Sequence, residues 1–147
     1  MRVSTKGRYG LRILLDVALN QQRGPVALRD ISRRQEISQK YLWQVINPLK
    51  AAGLINVTRG ARGGYVLARS PDKISLREIV GLLEGADTLV ECVNAPDTCG
   101  RSVACVAREA WAEVQSKLNK AMNGITLKDL LLRHHALESR GGPSYEI

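Results

Sequence analysis

The chain contains no phenylalanine, only 4% aromatic residues, and no internal repeat. Apolar residues still fill 44% of its 147 positions, an ordinary share for a globular protein that buries a core without covalent staples. No stretch approaches the roughly 20 apolar residues needed to cross a bilayer. The run from Leu11 to Leu19 is broken by Arg12 and Asp16, and no small-residue cleavage site follows, which argues against a secretory signal. Cysteine is scarce as well: three residues, an odd number poorly suited to a secreted disulfide framework. These absences point to a cytoplasmic protein with reduced thiols and no membrane association.

Acidic residues are scarce in the first half only. Residues 1–70 hold 13 Lys/Arg against 3 Asp/Glu, a balance of +10, whereas residues 71–147 hold 9 against 11, a balance of −2. A basic half attracts a polyanion and a near-neutral half does not, as expected of a nucleic-acid reader with a separate regulatory half. A merely solvated basic surface would give the same sum, so the decision rests on pattern.

Apolar residues at helical spacing predict a first helix over 4–21, ended by Arg23-Gly24-Pro25. A short second helix follows over 28–35, with Leu28 and Ile31 inward and Arg29, Arg33 and Arg34 outward. Ser38 reads as the N-cap of a third helix reaching about Ala52, with Gly53 as its stop. Pro48 lies inside it and removes a hydrogen bond, which predicts a bend or an early end near Asn47. Leu54–Thr58 and Gly64–Ala68 read as strands joined by the basic, glycine-rich loop 59–63. Ser75 to Glu78 reads as a capping box opening a fourth helix to about Leu83. Residues 85–102 lack a period and read as a loop. A longer helix covers about 103–122, and Thr126 opens a last one to about Leu137.

Three short helices followed by a basic hairpin predict a mainly α protein, a winged helix-turn-helix with a two-stranded wing and a long helix after it. The expected division is a DNA-binding domain over 1–84, a cysteine-containing loop over 85–102, dimerisation helices over 103–138 and a flexible tail over 139–147. In this geometry the third helix enters the major groove, N-terminal residues first. Those are Ser38, Gln39, Lys40, Tyr41, Trp43 and Gln44. Serine and glutamine can bond base edges, lysine reaches guanine or phosphate, and tyrosine holds the backbone. Ser38 is expected to be both cap and contact, while Trp43 fits either packing or DNA contact. Arg59 and Arg62 can reach an adjacent minor groove from the wing. Gly60, Gly63 and Gly64 would let the backbone turn and approach phosphates.

Cys92, Cys99 and Cys105 lie within 14 residues in the spacing C-x6-C-x5-C. Thiolates ligate iron–sulfur clusters and zinc, so metal or cluster binding is the natural reading. Three buried hydrophobes are the bland alternative, but Asn94, Pro96, Asp97 and Gly100 make a poor core pattern around them. A thiol-dependent enzyme would need an assembled base, and the two histidines, His134 and His135, are adjacent and late in the chain, so no enzymatic activity is expected. An architectural or RNA-binding adaptor is a further alternative, set apart by its lack of sequence preference.

MRVSTKGRYGLRILLDVAL, SQKYLWQVINPLKAAGLI, VTRGARGGYVLAR and ITLKDLL together resemble the family of bacterial winged-helix regulators that includes IscR, NsrR, CymR and RirA. The resemblance runs from Met1 to about Glu138, is strongest over 1–84, and leans toward the IscR type because of the cysteine loop. It implies a transcriptional regulator that binds a double-stranded DNA operator and senses iron–sulfur cluster status through a 2Fe–2S cluster on Cys92, Cys99 and Cys105. Nitric oxide, cysteine supply or zinc are the alternative signals on the same fold. The resemblance leaves the fourth ligand unknown: the IscR-type histidine position holds Arg108, the NsrR-type acidic position near the first helix holds Arg8, and Glu91, Asp97 and Glu109 are the nearby carboxylates. Position 43, often Glu in relatives, is Trp43, which implies an altered operator preference.

Along the long helix Val103, Ala107, Ala110, Val114, Leu118, Ala121 and Ile125 recur at three- or four-residue steps, with Trp111 and Met122 beside them. Such a stripe suits pairing with another helix or packing onto its own domain. The resemblance favours a homodimer, which would read two half-sites about one helical turn, or a multiple, apart.

Overall fold

A computed structural model describes residues 3–85 and 88–141. Helix α1 (Thr5–Asn20) begins at Ser4, whose hydroxyl accepts from the Gly7 amide, and buries Ile13, Leu14 and Val17 completely. It ends in a 3₁₀ turn over Gln21–Arg23, where Gly24 takes a φ of 112°. Helix α2 (Leu28–Gln35) buries Ile31 and stops at Glu36, a non-glycine residue in the left-handed region with φ 55° and ψ 42°. Helix α3 (Gln39–Ala51) is capped by Ser38, whose hydroxyl accepts from the Tyr41 amide at 3.3 Å.

Of the bend or early end predicted at Pro48, the early end does not occur. The helix continues to Ala51, and Leu49 beyond the proline is fully buried. Only one intrahelical bond is forfeited, at the carbonyl of Gln44, a solvent-exposed residue, while burial of Leu49 holds the last turn in place.

Strands β1 (Ile55–Thr58) and β2 (Gly64–Leu67) pair antiparallel, with Ile55 opposite Leu67 and Thr58 opposite Gly64. Residues 59–63 form the loop, as the glycine spacing predicted. The hairpin is tied to the helices by a bridge in which Val26 and Tyr65 exchange both backbone bonds, at 2.9 and 2.8 Å. That bridge explains Gly64, because a Cβ there would stand 2.5 Å from the Val26 carbonyl oxygen.

Helix α4 (Leu76–Glu84) is capped by Ser75, which accepts from the Glu78 amide at 3.2 Å. The predicted capping box is only half formed, because the Glu78 carboxylate turns to Arg69 at the end of the wing and not back to the Ser75 amide. Helix α4 lies flush against α1. A Cβ on Gly10 would meet the Leu83 side chain at 2.0 Å, and one on Gly7 would meet the Glu84 carboxylate at 2.2 Å. Glu84 itself accepts from the Ser4 amide and hydroxyl at 3.0 and 2.8 Å, pinning the start of α1 to the end of α4.

The segment read as a loop contains one turn of helix, α5 (Glu91–Asn94), and 3₁₀ turns over Pro96–Thr98 and Ser102–Ala104. These pieces are too short to show a hydrophobic period. Helix α6 (Val106–Asn123) therefore starts three residues later than predicted, with Cys105 as its N-cap. Helix α7 (Leu127–Ser139) opens on a complete capping box between Thr126 and Asp129. Backbone bonds from Leu76 to Ile125 and from Leu127 to Ile74 sew its start to that of α4.

One aliphatic core unites α1 to α4, the wing and α7: Ile13, Leu14, Ile31, Leu42, Ile46, Leu54, Ile79 and Leu127 are all fully buried. Truncating such a side chain to alanine typically costs about 2–5 kcal/mol. The glycine-rich tail lies mostly outside the described residues.

Candidate nucleic-acid interface and thiol segment

Burial along α3 separates its two faces. Leu42, Val45, Ile46 and Leu49 point into the core, whereas Ser38, Gln39, Lys40, Trp43 and Gln44 are exposed. Trp43 has 56% of its surface open, which removes the packing alternative for that residue. Tyr41 differs from its neighbours: it is half-buried, and its ring meets that of Tyr9 edge-on, with centroids 5.8 Å apart.

On the wing, Arg59 and Arg62 are exposed, with no ion-pair partner among the described residues. Gly60 takes a φ of 115° with open space around it, so it serves the turn. Gly63 and Gly64 answer to the protein itself, since a Cβ on Gly63 would lie 2.3 Å from the Thr58 carbonyl oxygen. The expected role of those two glycines in approaching phosphates is therefore unnecessary to explain them.

Beneath this surface lies a polar cluster that the sequence reading missed. Asp16 is completely buried, and its carboxylate accepts from Arg34 Nε at 2.9 Å, Arg34 Nη2 at 2.6 Å and Gln35 Nε2 at 2.8 Å. Arg34 was expected to point outward with Arg29 and Arg33; those two are exposed, but Arg34 turns inward to this carboxylate. A signal for it was present, because a carboxylate within the apolar run Ile13–Ala18 must find a cation once that face is buried.

The three cysteines are half-buried and free of disulfides. The Cys105 sulfur accepts from the Arg108 amide at 3.4 Å, and Arg108 Nε donates to the Cys92 carbonyl at 2.7 Å. Arg108 thus bridges the first turn of α6 to the turn carrying Cys92. Three soft thiol donors suit a thiolate-ligated group in kind. In placement they do not: among the described residues no three His, Cys, Asp or Glu side chains come close enough together to hold a metal ion. His134 and His135 sit on α7 beside Glu138, at 3.4 and 3.5 Å, and join no such group.

Helix α6 turns Arg108, Ala112, Gln115, Asn119 and Met122 toward the rest of the molecule. Gln115 is buried there and accepts from the Leu89 amide at 2.6 Å. The opposite face carries Ala107, Ala110, Val114 and Ala121, all exposed, with Trp111 at 47% and Val114 at 48%. Of the predicted stripe, Val103, Ala107, Ala110, Val114 and Ala121 are exposed while Leu118 and Ile125 are half-buried, so most of it does not pack onto its own domain. The polar-containing face does that instead.

Residues 3–133 match the profile of Rrf2, described as an iron-dependent transcriptional regulator. The chain belongs to the Rrf2 family. It is 40% identical over 131 residues to protein rrf2 of Nitratidesulfovibrio vulgaris, covering 89% of this chain and 87% of that one. It is 36% identical to the HTH-type transcriptional regulator IscR of Vibrio cholerae, over 94% of this chain and 79% of the relative. The solved structure of CymR, the global cysteine regulator of Bacillus subtilis, superposes with a TM-score of 0.75 at 35% identity, covering 90% of this chain and 98% of that one. The chain is accordingly a DNA-binding transcriptional regulator of winged-helix fold and not an enzyme. No described helix is long and apolar enough to cross a membrane.

Proposed function

We propose that this Rrf2-family regulator reads a double-stranded operator through Ser38, Gln39, Lys40, Tyr41, Trp43 and Gln44 of α3 and through Arg59, Gly60 and Arg62 of the wing. It does so as a homodimer paired along α6, under the control of iron–sulfur cluster status at Cys92, Cys99 and Cys105. The observation that carries the DNA reading is the division of α3 into a buried aliphatic face and an exposed polar face beside unpaired wing arginines. The exposed apolar face of α6 supports the dimer, since a second copy would cover Trp111 and Val114.

Control through the thiols rests on their concentration between α4 and α6, on the family's iron-dependent description, and on the likeness to IscR. As placed, the thiols do not form a ligand set among the described residues, so holding a cluster would require the segment that carries them to rearrange. The segment would then have two arrangements next to the dimer helix, which is what a ligand needs in order to shift an equilibrium. The fourth ligand is left unassigned, because Arg108 accepts no metal.

A second reading is favoured by the dispersed thiols and by the likeness to a protein titled a global cysteine regulator: the same segment would report cysteine supply. Anaerobic purification followed by an absorption spectrum and iron and sulfide assays separates the two. Visible absorption with stoichiometric iron and sulfide, and DNA affinity that differs when the chromophore is removed, is the expected result. A colourless, iron-free protein whose DNA binding responds to cysteine supply would replace the first reading with the second.

A further inference from the structure

Arg12 contributes to the basic sum of the first half, yet it is half-buried and its guanidinium is committed inward. Its Nε donates to the Gln35 side-chain oxygen at 3.0 Å and its Nη2 to the Gln35 backbone carbonyl at 2.9 Å, the last residue of α2. The same guanidinium lies 5.3 Å from the centre of the Tyr9 ring, and Tyr9 meets Tyr41 at 86°. On the other side, the fully buried Gln35 amide is held by Asp16, which fixes which way its oxygen faces.

We infer that Arg12 is a positioning residue for DNA reading, setting the first turn of α3 through the chain Asp16, Gln35, Arg12, Tyr9 and Tyr41. The inference rests on the proposed reading role of α3. The buried aliphatic residues under α3 resist its withdrawal from α1, but such contacts are non-directional and tolerate small rotations. Planar, forked and edge-on contacts do not tolerate them in the same way. The polar chain reaches the element that carries Ser38, Gln39 and Lys40, so it governs where those side chains meet the base edges. Glu36, between the chain and Ser38, holds a left-handed backbone, which leaves the α2–α3 connection little freedom of its own.

The test uses the full-length chain and a duplex enriched from a random-sequence pool by the wild-type protein, with random duplex of equal length as competitor. Arg12→Lys keeps the charge but loses the fork. The expected result is a roughly tenfold loss of affinity for the enriched duplex, the scale of one misread base contact. Binding to random duplex and the salt slope stay unchanged. Tyr9→Leu should behave alike, and Tyr9→Phe, which keeps the ring, should restore discrimination. If Arg12→Gln instead weakens both duplexes equally and lowers the salt slope by about 0.9, Arg12 contacts phosphate directly and the inference is overturned. A lowered melting temperature with full discrimination at low temperature would make the chain a scaffold only, and also overturns it. Failure of the wild-type chain to enrich any sequence would remove the DNA-reading role itself, and the positioning role with it.

Discussion

Residues 3–85 keep most of their aliphatic groups in, with Trp43 and Val57 as exposed exceptions, and their unpaired cations out. Asp16 is enclosed and fully bonded, Arg34 and Gln35 are turned toward it, and Lys40, Arg59 and Arg62 are left to solvent. Residues 88–141 do nearly the reverse along α6. There Gln115 is buried, while Val106, Trp111 and Val114 face solvent and three thiols sit half-covered in short turns. The first region is a finished object presenting charge, suited to a polyanion. The second leaves an apolar stripe and three free thiols partly open to solvent. The two meet where backbone bonds from Leu76 to Ile125 and from Leu127 to Ile74 join the start of α4 to that of α7.

That contrast can be broken from either side. Asp16→Ala should have the largest effect, because it leaves Arg34 and Gln35 without their shared acceptor inside the reading half. Losing one partner of a buried pair costs about 3–5 kcal/mol, to be read from urea unfolding of the full chain. A loss under about 1 kcal/mol would mean that water reaches the pair. Next, Val114→Glu in the uncovered stripe should weaken self-association on the scale of an interface hot spot, about 2 kcal/mol or roughly 30-fold. Sedimentation equilibrium measures this, and unchanged association would place the dimer contact elsewhere.

Arg59→Ala should reduce the salt slope of DNA binding by about 0.9 if its guanidinium sits on a phosphate, with little change in melting temperature. An unaltered slope would assign Arg59 to another contact. The smallest effect is expected at Glu36, where Glu36→Gly relieves a left-handed backbone and should raise stability by roughly 0.5–1 kcal/mol. A decrease would show that the Glu36 side chain contributes more than its backbone costs.

The exposed face of α3 was legible because exposure follows helical spacing: once Leu42, Val45, Ile46 and Leu49 are inward, Trp43 and Gln44 must face out. The wing was legible from glycine placement between two β-branched runs. Arg34 and Arg12 were not. Their partners lie 18 and 23 positions away on other helices, and nothing local distinguishes them from Arg29 or Arg33. The thiol segment was legible as chemistry but not as geometry, since three cysteines in turns too short for a period carry no signal of how far apart their sulfurs stand.

Periodicity, capping residues and turn glycines are local, and with composition they determined the order of helices and strands, the exposed face of α3, the wing and the basic asymmetry. Tertiary packing alone decided what happens where elements meet. It turned Arg34 to Asp16 because a buried carboxylate needs a cation, and it seated the Gln115 face of α6 against the fold while leaving the apolar stripe outside. It also carried α3 past Pro48, because burial of Leu49 outweighs one missing hydrogen bond.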